Sequence, residues 1–125
     1  MRAPAARGKR DANHAAIADL FRSLGCYVQD TSVVGWGYPD ITLGIAGETH
    51  LVEIKTEGGI LNAAQKRFIR DWRGSKVHLV TNATEAIALV SAVRKRQYRQ
   101  FYESKGMDDE NGNKAASEFI HDSTR

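Results

Sequence analysis

One cysteine in 125 residues, Cys26, excludes an intrachain disulfide and any zinc site built from several thiolates. No apolar run approaches the roughly 18–20 residues that cross a bilayer, so no membrane partner is expected. The opening MRAPAARGKRDANHAA has basic residues with no apolar stretch behind them, and is not expected to act as a secretory signal. No internal repeat is present. With 42% hydrophobic and 26% charged residues the composition is that of a globular chain rather than a disordered one. A soluble, cytoplasmic, single-domain protein is expected.

Acidic charge is scarce until the end of the chain. From Met107 onward five acids (Asp108, Asp109, Glu110, Glu118, Asp122) accompany two bases (Lys114, Arg125), while the first 106 residues hold 16 bases against 10 acids. A basic body with an acidic tail suits an anionic partner such as nucleic acid, although a modest positive balance also serves solubility alone.

Residues 1–10 read as a flexible basic arm, 11–103 as the folded domain and 104–125 as a polar, acidic, mobile tail. From Asp11 to Leu24, Ile17, Leu20, Phe21 and Leu24 fall at helical spacing, and Gly25 stops the helix. A short strand over Cys26–Asp30 precedes the glycine-rich loop Val33–Pro39. Strands are predicted over Asp40–Ala46 and Thr49–Lys55, around a turn at Gly47-Glu48. Asn62 caps a helix through Arg73, with Phe68, Ile69 and Trp72 on its apolar side. Val77–Thr81 is a strand, and a helix from Thr84 to about Tyr102 buries Ile87, Leu89, Val90 and Val93. The order is that of an α/β domain with a mixed sheet: an antiparallel hairpin, then a strand joining in parallel.

The hairpin concentrates the chemistry. With Gly47 and Glu48 as turn residues, Asp40 opposes Lys55, Thr42 opposes Glu53, and Gly44 opposes Leu51. Alternation then sends Ile41, Leu43, Ile45, Val52 and Ile54 to one face, and Asp40, Thr42, Glu53 and Lys55 to the other. Cross-strand neighbours lie roughly 5 Å apart and diagonal ones roughly 7–8 Å, so Asp40 and Glu53 could share one ion. Carboxylate oxygens suit Mg²⁺ or Mn²⁺, which lower the pKa of a bound water and polarise a phosphodiester. A lysine beside them can orient that water or neutralise charge developing on phosphate oxygens. The plainer reading is a solvated hairpin face with one Glu–Lys ion pair.

The stretches GYPDITLG, LVEIKTEGG and AQKRFIRDW together resemble the PD-(D/E)XK nuclease superfamily, and most nearly its small stand-alone VRR-NUC branch, typical of phage genomes. The likeness runs from about Asp11 to Val90. It implies a restriction-endonuclease-like αβββαβ core, with a mixed central sheet flanked by helices. It implies Asp40, Glu53 and the backbone carbonyl of Ile54 as metal ligands, Lys55 as the catalytic lysine, and Gln65 as a glutamine pointing from its helix into the site. Many superfamily members also carry a glutamate on the first helix. Ala16 stands there in this chain, and Asn13 is the nearest substitute, although it reads more readily as a helix cap.

The activity so implied is Mg²⁺- or Mn²⁺-dependent hydrolysis of DNA, including branched DNA such as a Holliday junction, by a homodimer in a bacterial or phage-infected cell. Lys66, Arg67, Arg70 and Arg73 on one helix, and Arg94, Lys95, Arg96 and Arg99 on another, are candidate phosphate contacts, or simply solvated faces. Trp36 and Tyr38 could stack on bases, or Trp36 could plug the edge of the core. His14, His50, His78 and His121 show no spacing that points to a shared carboxylate. Cys26 reads as small core filler. A non-catalytic DNA-binding or packaging protein and an RNA-cutting nuclease are the alternative readings.

Overall fold

The structure is a computed structural model and describes residues 8–106. Residues 1–7 of the expected basic arm, His121 and the expected acidic tail from 107 lie outside the described residues. The elements are α1 (Gly8–Ser23), β1 (Tyr27–Asp30), β2 (Ile41–Ile45), β3 (Glu48–Ile54), α2 (Ala63–Asp71), β4 (His78–Val80) and α3 (Ala83–Glu103). Helix α1 starts at Gly8, so the last three residues assigned to the arm are helical. Among the described residues no helix is long and apolar enough to cross a membrane.

The four strands form one mixed sheet in the order β1-β2-β3-β4. Strands β1, β2 and β3 run antiparallel in turn, and β4 joins β3 in parallel, as the sequence predicts. Helices α1 and α3 cover one face. Ile17 and Phe21 of α1, and Ala86, Val90 and Val93 of α3, pack there on Ile41, Leu43, Ile45, Val52, Ile54 and Val80. Cys26 is buried in this core. Ile87 is exposed rather than buried, because Ala86, Val90 and Val93 set the inward stripe of α3.

The helix ends follow from local chemistry. After α1, Gly25 takes a φ of 87°. Cys26 N–H then donates to the Phe21 carbonyl (3.0 Å) and Gly25 N–H to that of Arg22 (3.0 Å), a Schellman termination. Arg94 of α3 is buried and donates to the Leu24 carbonyl, setting a cation against the C-terminal end of α1. It is therefore not a phosphate contact, contrary to its place in the expected basic cluster. Asn82 caps α3, its side chain accepting from Glu85 N–H at 2.9 Å.

The hairpin register departs from the expected one by two residues. Ile41 faces Val52, and Ile45 faces Glu48, so the turn residues are Ala46 and Gly47. Their φ values of 49° and 81° are the left-handed pair that a two-residue hairpin loop requires. Glu48, expected in the turn, starts β3 instead. A shift of two keeps every side chain on its expected face, and it changes who faces whom: continuing the ladder one step sets Asp40 across from Glu53 rather than Lys55.

Ala46 holds a conformation that costs a non-glycine residue about 1 kcal/mol or more. Ala46→Asn creates the Asn-Gly pair favoured in such turns, and should stabilise the fold by about 0.5–1 kcal/mol. The check is a rise in the urea midpoint at unchanged slope; a fall in the midpoint would contradict the turn geometry.

Candidate active site

Asp40 directly follows Pro39 at the start of β2 and is 8% exposed. Its Oδ2 accepts the backbone N–H of Ile54 at 2.9 Å, a bond that ties the end of β3 to the carboxylate. In an extended strand a residue's N–H and C=O point to the same edge, so the Ile54 carbonyl is also directed toward Asp40. The next residue confirms the alternation, since Lys55 N–H turns the other way and donates to Val80 in β4 (3.1 Å).

Glu53 leaves the sheet on the face opposite the core and is 2% exposed. Gln65 of α2 meets it there, with Nε2 donating to Glu53 Oε1 at 3.1 Å. The orientation of this amide is set by the cap of α2. Gln65 Oε1 accepts Asn62 N–H (2.9 Å), while Asn62 Oδ1 accepts Gln65 N–H (2.9 Å). With the amide oxygen engaged by a backbone donor, the NH₂ group is left for the carboxylate. Gln65 is thus a buried residue aimed at Glu53 and not a surface residue of its helix.

Asp40, Ile54 and Lys55 line a cleft of about 240 Å³, together with Asn13 and His14 of α1 and Asp30 at the end of β1. Asn13 sits within α1, not at its cap, and its Nδ2 donates to the Lys55 carbonyl at 3.3 Å, fixing the backbone that carries the lysine. His14 brings an Nε2 that is buried without a hydrogen-bond partner. Asp30 brings a further carboxylate, engaged by Ser32 N–H and Oγ. The sequence reading missed both. Asp30 was legible in principle, because it pairs with Ile41 beside Asp40.

Beside the cleft lies an aromatic patch. Tyr38 N–H donates to the Gly35 carbonyl (3.0 Å), closing a turn whose central residues, Trp36 and Gly37, have φ values of 60° and 77°. Trp36 is 92% exposed, so it does not plug the core. A Cβ on Gly37 would fall 2.1 Å from the Ala64 carbonyl oxygen, so only glycine lets this loop close on the first turn of α2. Tyr38 meets Phe68 edge-on, and Phe68 stacks on Trp72. Phe68 and Ile69 are only partly buried and Trp72 is exposed, so the apolar side expected of α2 is half open to solvent. Lys66, Arg67 and Arg70 project from the same helix into solvent, Arg70 paired with Asp71 at 2.8 Å. The helix ends at Asp71, with Trp72 as its extended cap, so the exposed Arg73 lies beyond it and not on it as expected. In the second basic cluster Lys95 and Arg99 are exposed, whereas Arg96 is bound to Glu48 at 2.6 Å.

No family model, curated protein or solved structure matches the chain. The chemistry therefore rests on the donor set. Among the described residues no three His, Cys, Asp or Glu side chains converge on a metal-sized point. Asp40 and Ile54 line the open cleft and Glu53 does not; as donors, two carboxylates and one main-chain carbonyl offer oxygen only, a chemistry that would suit Mg²⁺ or Mn²⁺ better than zinc or copper. Two acids facing each other across a ladder repel, a repulsion that a divalent cation between them would relieve.

Two histidines expected to stand apart meet at the other end of the sheet. His50 Nε2 lies 2.7 Å from Glu48 Oε1, and His50 Nδ1 lies 2.9 Å from His78 Nε2. With both rings neutral, His78 donates to His50 and His50 donates to Glu48. Arg96 and Gln97 of α3 close the network on the same carboxylate. The parallel register that sets Val52 against His78 creates this contact between distant segments.

Burial pushes the Glu48 carboxyl up, but hydrogen bonds from Arg96, Gln97 and His50 and the charge of Arg96 outweigh it and hold its pKa at about 2. Burial, then the charges of His50, Lys76 and Arg96, push His78 below its ordinary 6.5. Both groups bind protons more readily in the unfolded chain, so acid destabilises the fold. Stability should fall as pH drops below about 6.5 through His78, and again between 4.5 and about 2 through Glu48. His78→Gln should flatten the upper segment in urea melts from pH 7.5 to 5.5. An identical slope in the variant would contradict this.

Proposed function

We propose that the chain is a Mg²⁺- or Mn²⁺-dependent endonuclease that hydrolyses DNA phosphodiesters. The observation that carries this reading is the pinning of two buried acids on one sheet face, Asp40 by Ile54 N–H and Glu53 by Gln65, where Lys55 shares the cleft with Asp40. Asp40, Glu53 and the Ile54 carbonyl would hold the ion, which when bound lowers the pKa of its water and polarises the phosphate. Lys55 presents an ammonium to the attacking water or the phosphate oxygens, and stabilises negative charge that grows toward the transition state. Asn13 steadies the Lys55 backbone, and Gln65 keeps the Glu53 carboxylate oriented. Lys66 and Arg67 supply phosphate contacts that hold the backbone without reading sequence. Two chains acting as a homodimer would bring two such clefts to opposed strands of a branched duplex.

Branched, nicked and linear DNA incubated with Mg²⁺, Mn²⁺ or a chelator tests the reading, with RNA as a parallel substrate. Cleavage of DNA is expected only with metal. Lys55→Ala should lower the rate by roughly 10²–10³ while leaving DNA affinity nearly unchanged. Strong DNA binding without cleavage under either metal would leave a binding protein, and normal cutting by Lys55→Ala would remove the lysine's role.

A further inference from the structure

We propose that Trp36 and the Phe68–Trp72 stack form a platform for an unpaired nucleobase, so that the preferred DNA has a single-stranded nucleotide flanking the cut. The location of the cut rests on the nuclease reading above; the binding of a base does not.

The indole is placed at a cost. Trp36 occupies a left-handed turn position disfavoured for any residue with a Cβ, and it is 92% exposed, so neither local conformation nor core packing explains it. Its position is nonetheless fixed. The close approach of Gly37 to Ala64 locks the turn onto the first turn of α2, one residue from Gln65. On the other side, Tyr38 and Pro39 lead straight into Asp40. The platform and the two acids therefore share one rigid frame.

Trp36, Arg67, Phe68, Asp71 and Trp72 line a groove of about 320 Å³. Phe68 and Trp72 stack with ring centroids 5.2 Å apart and planes 20° from parallel, leaving aromatic surface at the groove wall. Aromatic faces beside a guanidinium are the combination that holds single-stranded bases, whose π-faces are hidden in a duplex. Charge selects the same occupant: Arg67 lines the groove and Lys66 stands next to it, while Asp71 is engaged by Arg70 at 2.8 Å. An apolar protein partner would be poorly served by this cationic wall. The reach also fits. At about 1.5 Å per residue, Phe68 and Trp72 lie about 4.5 and 10 Å along α2 from Gln65, or one to three steps of a strand at about 3.4 Å per base.

Quenching of tryptophan fluorescence tests the platform with Trp72→Phe as background, so that Trp36 is the one remaining indole of the chain's 2. The probes are a single-stranded oligothymidylate and a blunt duplex of equal length, in chelator so that nothing is cut. Strong quenching by the single strand and little by the duplex is expected. In the wild-type background Trp36→Ala should weaken single-strand binding roughly tenfold, and Trp36→Phe should restore much of it. Equal quenching by the blunt duplex, or unchanged single-strand affinity in Trp36→Ala, would overturn the platform even if metal-dependent cleavage is observed. Selective quenching in a protein that cuts no DNA under any metal would support the platform while removing the nuclease reading. If both hold, wild type should favour overhang substrates over blunt ones, and Trp36→Ala should lose that preference; an unchanged preference would contradict the proposal.

Discussion

The two-residue turn at Ala46-Gly47 sets the partner of every residue in β2 and β3. Because side chains alternate, slipping either strand by one residue against the other would turn its acid, Asp40 or Glu53, toward the apolar core and its apolar residues outward. The apolar residues packed against α1 and α3 forbid that exchange. Core packing therefore holds the two acids on one face, and the left-handed pair at the turn sets which residues stand opposite.

The site is also built from the ends of other elements. The N-terminal cap of α2 orients Gln65, whose amide serves the helix with its oxygen and Glu53 with its nitrogen. The exit of β3 supplies the N–H that holds Asp40. Helix α1 reaches across to the Lys55 carbonyl through Asn13. Each contact satisfies a backbone group that would otherwise be left unpaired near the rim of the sheet, so structural need and chemical placement coincide. The cluster of Glu48, His50 and His78 at the far end fastens α3 to the sheet and stands apart from this chemistry.

Much of this was legible from residue order. Helical spacing in α1, alternation in β2 and β3, and the cap at Asn62 are local, and they specify the elements and the two faces of the sheet. The hairpin register was missed because Ala46 takes a left-handed conformation usually left to glycine or asparagine, which drew the expected turn one residue too far along. The meeting of His50 and His78 depends on a parallel pairing across 28 residues, which no local pattern announces. Arg94 looked like one more surface base, yet it is buried against the end of α1. Trp36 was open to either reading, base contact or plug at the core edge, and the turn that carries it leaves it 92% exposed.

The central claim is that Asp40 and Glu53 together bind a divalent cation. The most direct measurement is a Mn²⁺ titration read by loss of the free-ion electron paramagnetic resonance signal, in the wild type and in Asp40→Asn. Asparagine keeps an oxygen for the Ile54 N–H, so the fold should persist while the charge is removed. The account predicts Mn²⁺ uptake by the wild type that is lost in the variant, with unchanged circular dichroism. Equal uptake by both proteins, or none by the wild type, would contradict it.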